Sequence, residues 1–382
     1  MKLSELETPS LILDRSRLAA NIAAMSARMK EHGVALRPHL KTAKSAEVAR
    51  LATAAHRGAF GGAITVSTLA EAAYFAQHGF RDITYAVGVA PAKLPRIAAL
   101  CRDGVRMAVV TDSVAVAREI ARTPDCGPGL GVFIKIDCGL GRAGIRADDP
   151  SLIEIARALE GSPSASLRGV LTHAGHFYGC ATVAEIETVA EAERQAVVIA
   201  AERLRSAGID CPEVSVGSSP TARFGRSFEG VSEARPGVYM FNDAFQVGLG
   251  CCRHEDVALT VLTTVIGQRR DLGKLLIDAG GLALSKDRST ASQAEDVGYG
   301  LVYEVGGERR LDGLRVAAVH QEHGLVAPVG GGVEMPFDAL PIGTRLRIMP
   351  NHACMTAAAY DRYHVVDGGD EIIAEWDRVG GW

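Results

Sequence analysis

The sequence has little of several features that mark whole classes of protein. Aromatic residues make up 5% of the 382 residues, and the 41 Lys and Arg residues are outnumbered by 45 Asp and Glu residues. Nucleic-acid binding and adhesion to anionic membranes both depend on a surplus of basic residues, so the net charge of −4 argues against both. No apolar run reaches the roughly 18 residues of a membrane span, and residues 1–14 lack the apolar core of a signal peptide.

Cysteine is also sparse and is not arranged as a disulfide framework. The chain has eight cysteines, two of them adjacent at positions 251 and 252, and no CxxC pair. This usage is typical of reduced thiols, so we expect a cytoplasmic protein. At roughly 150 residues per domain, the length suggests two domains. Glycine, by contrast, is abundant at 42 residues, which favours the many tight turns of an α/β enzyme.

Short apolar segments alternate with Ala-rich helical segments over the first two thirds of the chain. Each apolar segment is apolar nearly throughout, as a strand covered on both faces should be. Eight such strands with helices between them predict a (β/α)8 TIM barrel, and a doubly wound open sheet is the alternative. The barrel is favoured because no GxGxxG follows the first strand. The expected strands are Val34–Arg37, Ala63–Val66, Ile83–Val87, Met107–Thr111, Gly131–Asp137, Gly169–Thr172, Glu213–Val216 and Gly237–Phe241.

The alternation of strand and helix segments gives way to β-rich segments near Gly250. From Asp256 onward, β-branched segments are separated by Gly and Pro, and helical periodicity mostly disappears. This pattern predicts a second, all-β domain. The expected domains are therefore a barrel over residues 14–250 and a β domain over residues 251–382, which residues 1–13 join through the run Ser10–Leu13.

Two lysines follow the first expected barrel strand, in the string Arg37-Pro38-His39-Leu40-Lys41-Thr42-Ala43-Lys44-Ser45. Barrel enzymes do their chemistry at the C-terminal ends of their strands. Burial and neighbouring cations there would lower the pKa of a lysine and give the neutral amine that a Schiff base requires. The alternative is a loop with two solvated lysines.

Three further strand ends carry Gly, Ser and aromatic residues. Arg142 lies in the string Asp137–Gly144, where three glycines allow a sharp turn. Phosphate sites in barrels often lie after the last two strands, where this chain has suitable residue types, although ordinary turns explain them equally well. Tyr178 could donate a hydrogen bond to a phosphate. His173 could flank a flat ring, and the alternative for this histidine is a packing residue. The residues of the candidate phosphate site are Gly217, Ser218, Ser219, Thr221 and Gly237.

A candidate metal pair lies in the expected β domain. In an extended chain, His352 and Cys354 point to the same face and could hold one ion together. A thiolate and an imidazole favour Zn²⁺ over harder ions, and two ligands leave positions open for water or substrate. The alternative is a buried cysteine beside a packing histidine. The segment Gln321–Gly324 could approach the same place.

Together these strings resemble the D-serine dehydratase and D-threonine aldolase family, pyridoxal-phosphate (PLP) enzymes of the alanine-racemase fold type. The strings that carry the resemblance, from about Thr8 to Trp382, are ETPSLILD, RPHLKTAKS, GRAG, SVGSSPT, ARPGVY, QEHG and PNHACMT. The resemblance implies a lyase for D-β-hydroxy amino acids such as D-threo-3-hydroxyaspartate, D-serine or D-threonine. Cys354 stands where the aldolases tend to carry Asp, which favours a dehydratase that releases a 2-oxo acid and ammonia.

The resemblance also implies roles for single residues. Lys41 is similar to the lysine that binds PLP covalently and removes the Cα proton, and Arg142 to the arginine that faces the pyridine nitrogen. His352 and Cys354 resemble the Zn²⁺ ligands, with Mn²⁺ or another divalent ion as the alternative metal. The family implies a homodimer. The other expected cofactor residues are His173, Tyr178, Gly217, Ser218, Ser219, Gly237 and Tyr239.

Two other activities remain open at this point. The first is a metal-dependent D-threonine aldolase, which would give glycine and an aldehyde. The second is a non-enzymatic PLP carrier, which the roughly 130 residues of the β domain argue against. The group that would bind a substrate carboxylate is open as well. Its candidates are Arg37, Arg142, Arg223, Arg226 and Arg253.

Overall fold

The structure is a computed structural model that describes residues 1–56, 62–124, 126, 129–330 and 333–382. It divides into two compact units. The barrel unit comprises Ala24–Gly237 and Val379–Trp382, and the β unit comprises Met1–Ala23 and Val238–Arg378. Over the described ranges, none of the helices is both long enough and apolar enough to cross a bilayer.

The described strands are, in chain order, β1 (Ser10–Asp14), β2 (Ala35–Leu36), β3 (Ala63–Val66), β4 (Asp82–Gly88), β5 (Arg106–Thr111), β6 (Leu130–Lys135), β7 (Ala165–Leu171), β8 (Glu213–Val216), β9 (Glu233–Ala234), β10 (Leu259–Arg269), β11 (Lys274–Ile277), β12 (Gly300–Glu304), β13 (Arg310–Val319), β14 (Gly324–Pro328), β15 (Arg345–Pro350), β16 (Arg362–Val366) and β17 (Ala374–Asp377).

The described α-helices are α1 (Arg15–Glu31), α2 (Ala46–Thr53), α3 (Leu69–Gln77), α4 (Leu94–Arg102), α5 (Val114–Ala121), α6 (Ser151–Arg157), α7 (Val183–Ser206), α8 (Ser219–Phe224), α9 (Ala244–Gly248), α10 (Gly281–Leu284) and α11 (Ala353–Ala357). Several begin at a side-chain cap. Thr182 accepts from the amide of Glu185, and the Glu185 side chain accepts from the amide of Thr182 in return. This reciprocal cap satisfies two amides that would otherwise lack a partner at the start of α7.

The barrel unit contains eight parallel strands in the order β2-β9-β8-β7-β6-β5-β4-β3. A bridge between His39 and Thr65 joins the two ends of this order. There the amide of Leu40 donates to the carbonyl of Thr65 (2.8 Å), and the amide of Thr65 donates to the carbonyl of Pro38 (2.9 Å). The arrangement confirms the expected TIM-like barrel.

One expected strand was wrong. The eighth barrel strand is Glu233–Ala234, not Gly237–Phe241. Pro236 lacks the N–H that a continuing ladder needs, and Val238–Met240 forms a 3-10 helix instead. The apolar character that suggested a strand has another cause, since Met240 and Phe241 are fully buried.

The β unit contains a nine-stranded sheet in the order β11-β14-β13-β12-β15-β10-β1-β16-β17. Its neighbours pair antiparallel except for β1 and β16, which are parallel. Ile12 of β1 packs with Leu262 of β10 and Val366 of β16 in one buried cluster. The segment Ser10–Asp14 is therefore a central strand of this sheet.

A buried network of ion pairs crosses the barrel at the beginnings of its strands. The Arg37 guanidinium donates to Glu233 (2.6 Å) and to Asp82 (2.7 Å), and Arg168 donates to Asp82 (3.2 Å) and to Glu213 (2.8 Å). The three acids are the first residues of β9, β4 and β8. The network therefore lies at the end opposite to where barrel enzymes do chemistry, and Arg37 is not available for a substrate carboxylate.

We expect Arg37→Met to lower the free energy of unfolding by about 3–5 kcal/mol, because it leaves buried carboxylates without their partner. A urea titration followed by circular dichroism measures this loss. The matched control is Arg146→Met, which removes an exposed ion pair with Asp148 (3.0 Å) and should leave the midpoint unchanged. An unchanged midpoint for Arg37→Met would show that the network does not stabilise the barrel.

Candidate active site

Basic side chains gather at the C-terminal ends of the barrel strands, which we call the barrel mouth. His39 follows β2, Lys135 ends β6, His173 follows β7 and Arg235 follows β9. Lys41 and Lys135 both act electrostatically on His173. Like charges so close together disfavour each other's protonated forms, and an anion would relieve this repulsion. The barrel mouth is therefore suited to an anionic ligand.

The two lysines of the barrel mouth differ from the sequence-based expectation. The sequence suggested a buried lysine at this strand end, but Lys41 is exposed. The desolvated lysine is Lys135, where burial, then Arg235 and Arg142, lower the pKa to about 7. Sequence reasoning missed Lys135, although the alternation of side chains along β6 indicates that it points into the barrel. Lys135 lies two residues after Phe133, which packs inside the barrel, and therefore shares its inward face.

Both histidines of the barrel mouth are held in the neutral form. Burial, followed by the nearby charge of Lys41, lowers the pKa of His39 and of His173. The Nδ1 of His173 hydrogen-bonds the carbonyl oxygen of Gly217. Because a carbonyl only accepts, Nδ1 carries the proton and Nε2 presents a lone pair.

Arg235 is a second residue that sequence reasoning missed. Its guanidinium is buried and donates to the Ser215 hydroxyl and to the Thr172 carbonyl. Burial lowers its pKa to about 10. Arg142, the arginine that the resemblance indicated, is exposed but acts on Lys135 and His173 through its charge.

The loop after β6 owes its shape to a carboxylate. Asp137 accepts hydrogen bonds from the amides of Gly139 (3.0 Å) and Gly141 (3.1 Å). Gly144 has a φ of +108°, and a β-carbon there would lie 2.7 Å from the Asp137 nitrogen. Only glycine fits this turn, which presents Arg142 at its tip.

The loops after β2, β8 and β9 meet at the candidate phosphate site. A β-carbon on Gly237 would lie 2.7 Å from the His39 carbonyl oxygen, and the Gly237 amide donates to the Ser219 hydroxyl (3.3 Å). Ser218 is buried and accepts from the amide of Thr221 (3.1 Å). These buried hydroxyls and Lys41 are thus brought to the same side of the barrel.

The two expected tyrosines lie in different surroundings. Tyr178 is exposed, and its ring stacks on Phe177 with 4.3 Å between the ring centroids. Tyr239 belongs to the β unit and is buried, and burial raises its pKa. The roles expected for both residues stay predictions.

The candidate metal pair lies in the β unit, but the expected extended chain was wrong, because His352 precedes α11 and Cys354 lies in its first turn. His352 donates from Nδ1 to Asp287 (2.8 Å) and also hydrogen-bonds the thiol of Cys354. Burial lowers the pKa of His352, but the hydrogen bonds to Asp287 and Cys354 outweigh it and raise the pKa to about 11. Asp243 accepts from the amide of Ala353 (2.8 Å), between the two candidate ligands.

The structure gathers no third ligand around this pair from the described part of the chain. Within residues 1–56, 62–124, 126, 129–330 and 333–382, no three His, Cys, Asp or Glu side chains form a group suited to a metal ion. The segment Gln321–Gly324 forms the turn between β13 and β14, where the His320 amide donates to the His323 carbonyl (2.8 Å). Among the described residues, His323 does not form a group of metal ligands with His352 and Cys354.

Comparisons with known proteins identify the family. Residues 13–244 match the alanine racemase N-terminal domain, and residues 258–366 match a serine dehydratase domain. The chain is 45% identical over 380 residues to D-threo-3-hydroxyaspartate dehydratase of Delftia sp. (strain HT23), covering 99% of this chain and 98% of that protein. It belongs to the alanine-racemase-like family of D-serine dehydratases. The expected family and the expected class of enzyme, a PLP-dependent lyase, are both confirmed.

Two further family members support this placement. D-serine dehydratase of Dictyostelium discoideum is 32% identical over 402 residues, covering 100% of this chain and 98% of that protein. A cysteine-to-alanine variant of D-threo-3-hydroxyaspartate dehydratase in the metal-free form superposes with a TM-score of 0.94 and 44% identity over the whole of both chains. The fold of the family therefore extends over the full length of this chain.

The residues present fit the two groups that the family implies. An exposed amine, buried hydroxyls and a cationic barrel mouth suit an aldehyde that carries a phosphate, as PLP does. An imidazole hydrogen-bonded to a thiol suits a borderline-soft ion such as Zn²⁺. The Asp287 carboxylate behind the imidazole is the partner that a metal-ligating histidine usually has.

Proposed function

We propose that this protein is a PLP- and zinc-dependent dehydratase of D-β-hydroxy amino acids. It would convert D-threo-3-hydroxyaspartate, D-serine or D-threonine into a 2-oxo acid and ammonia. The observation that carries this proposal is the full-length similarity to the Delftia dehydratase, in a chain that also has Lys41 at the barrel mouth and the His352–Cys354 pair.

The barrel, over residues 14–250, would hold the cofactor. Lys41 would bind PLP covalently, and the hydroxyls of Ser218 and Ser219 would hold its phosphate, while Arg142 and His173 would lie against its ring. PLP supplies an electron sink that stabilises negative charge at the substrate Cα. The amine of Lys41 would take the proton from Cα, and its exposure in this structure leaves it accessible for that role.

The β domain, over residues 251–382 with residues 1–13, would hold the metal. His352 and Cys354 would be the protein ligands, and Zn²⁺ supplies a Lewis acid for the departing β-hydroxyl. Asp287 orients the imidazole, since a carboxylate only accepts and therefore keeps the proton on Nδ1. Nε2 would then be the nitrogen available to a bound ion.

The substitution Asp287→Asn tests that orientation. We expect the affinity for Zn²⁺ to fall about 10–100-fold, because the neutral amide holds the imidazole less firmly. Competition with a chromophoric chelator measures the dissociation constant without reference to activity. Asp361→Asn, at an exposed aspartate of the same unit, should bind Zn²⁺ like the wild type. Equal affinity in both variants would show that Asp287 does not act on the ligand.

The activity is tested with a panel of D-β-hydroxy amino acids assayed for ammonia and for 2-oxo acid. Ammonia and 2-oxo acid in equal amounts support the dehydratase. Glycine and an aldehyde would instead identify an aldolase, and bound PLP without turnover would identify a carrier. The wild-type holoenzyme with added Zn²⁺ is the protein to assay.

The assembly and the compartment complete the proposal. We infer a homodimer, as the resemblance implies, and a cytoplasmic protein, because eight cysteines without a CxxC pair in a chain of this length are not arranged as a disulfide framework. Sedimentation equilibrium would detect the dimer.

A further inference from the structure

Helix α7 carries one acid on its buried face. Glu193 is only 2% exposed and lies in a stripe with Ile186, Ala190 and Val197, at spacings of three and four residues. Such a stripe normally consists of apolar residues that face the core. A buried carboxylate is costly unless its oxygens accept hydrogen bonds. Packing alone therefore does not explain why a carboxylate lies on the buried face of α7.

One oxygen of Glu193 joins two loops of the barrel mouth. Its Oε1 accepts from the amide of Ala174 (2.9 Å) and from the amide of Gly217 (3.2 Å). Ala174 follows His173 in the loop after β7, and Gly217 precedes Ser218 in the loop after β8. The hydrogen bond between His173 and the Gly217 carbonyl links the same two loops a second time.

We propose that Glu193 is a positioning residue, whose carboxylate ties the loop after β7 to the loop after β8 and so holds His173, Ser218 and Ser219 in place for PLP. This inference rests on the proposed function, since it takes PLP to be the ligand of the barrel mouth. It also changes the role of Gly217. Both its N–H and its carbonyl are used within the barrel unit, so Gly217 would shape the phosphate site without donating to the phosphate.

The negative charge of Glu193 has a second effect at the barrel mouth. It favours the protonated forms of Lys135 and Arg235, and so preserves the positive charge that attracts an anion. If that charge is removed, Lys135 gives up its proton at lower pH, and binding of anionic PLP should decline at lower pH as well. The groups that face Lys135 are Arg235 after β9, Arg142 and Cys138 after β6, His173 after β7 and Glu193 on α7.

Two variants of the full-length chain separate the effect of the two hydrogen bonds of Glu193 from the effect of its negative charge. Glu193→Gln keeps an oxygen that can accept both amide hydrogens but loses the charge. Glu193→Ala loses both. The matched control is Glu191→Gln on the same helix, because Glu191 is half-exposed and bonds only Arg194 and Gln195 among the contacts described for its side chain.

The readout is the dissociation constant of PLP from equilibrium dialysis between pH 6 and pH 9, together with the melting temperature of the apoprotein. We expect Glu193→Ala to bind PLP at least about tenfold more weakly, because two buried amides lose their acceptor. Glu193→Gln should bind within about threefold of the wild type at pH 6, with the decline in affinity moved about one pH unit lower. Glu191→Gln should match the wild type throughout.

Each other outcome overturns the proposal. A folded Glu193→Ala protein that binds PLP with wild-type affinity would show that the hydrogen bonds of Glu193 to the two loops do not position the site. If Glu193→Ala does not fold, Glu193→Met, which fills the space but accepts no hydrogen bond from the two amides, takes its place, and wild-type affinity in that protein overturns the proposal. An unshifted pH profile in Glu193→Gln would overturn the effect of the charge. A wild-type protein that does not bind PLP would overturn the proposed function instead, so the two failures are distinguishable.

Discussion

Lys41→Ala protein is expected to lose at least about 10³-fold in ammonia release, because the amine that removes the Cα proton is gone. It should also lose the visible absorbance of covalently bound PLP. The prediction distinguishes between the two lysines at the barrel mouth. Lys135, with its lowered pKa, is the amine that chemistry alone would favour as a nucleophile, whereas the family pattern favours Lys41.

Borohydride reduction followed by peptide mapping distinguishes the two lysines. The wild type should carry the reduced cofactor on Lys41, and Lys135→Met should keep that label. The control is Lys30→Ala, at an exposed lysine of α1, which should change neither absorbance nor turnover. A label on Lys135 would overturn the assignment of Lys41 as the covalent residue.

Cys354→Ala protein is expected to lose bound Zn²⁺ and about 10²-fold or more in dehydration. Lewis-acid assistance contributes several kcal/mol to departure of a hydroxyl, and each 1.36 kcal/mol is tenfold in rate. Treatment of the wild type with EDTA should give a similar loss, and added Zn²⁺ should restore the wild type but not the variant. Metal analysis and the ammonia assay together measure both effects.

Met355→Ala is the matched control for the metal pair. Met355 is adjacent to Cys354 on α11 and half of its surface is exposed, so its truncation should leave both metal content and turnover unchanged. Full activity in metal-free wild-type protein would instead reduce His352 and Cys354 to packing residues.

The sequence predicted the components of the site better than their surroundings. The strings around Lys41, Ser218 and Cys354 were found because each follows a strand and carries reactive residue types. The surroundings depend on which groups lie nearby in space. Lys41 proved exposed and Lys135 desolvated, since the burial of a side chain depends on neighbours that are distant in sequence.

The residues that the sequence did not reveal act through charge or backbone contacts. Glu193 is 24 positions from the Gly217 amide that it accepts from, and Asp287 is 65 positions from His352. Nothing in the local sequence distinguishes Asp287 from a solvated acid. For Glu193 the apolar residues spaced three and four positions away on α7 were a signal. For Arg37 the sequence suggested a role that the structure does not support. Its basic neighbours suggested a binding site, but it lies in a buried network of ion pairs.

The sequence by itself determined the alternation of strands and helices, the change to β structure near residue 250, and the family, because periodicity and local strings are properties of neighbouring residues. Only the tertiary structure decided where the last barrel strand lies, which lysine is desolvated, and which carboxylates hold the loops and the imidazole. These depend on contacts between segments far apart in the chain, and the free energy of a charge is set by what surrounds it in three dimensions.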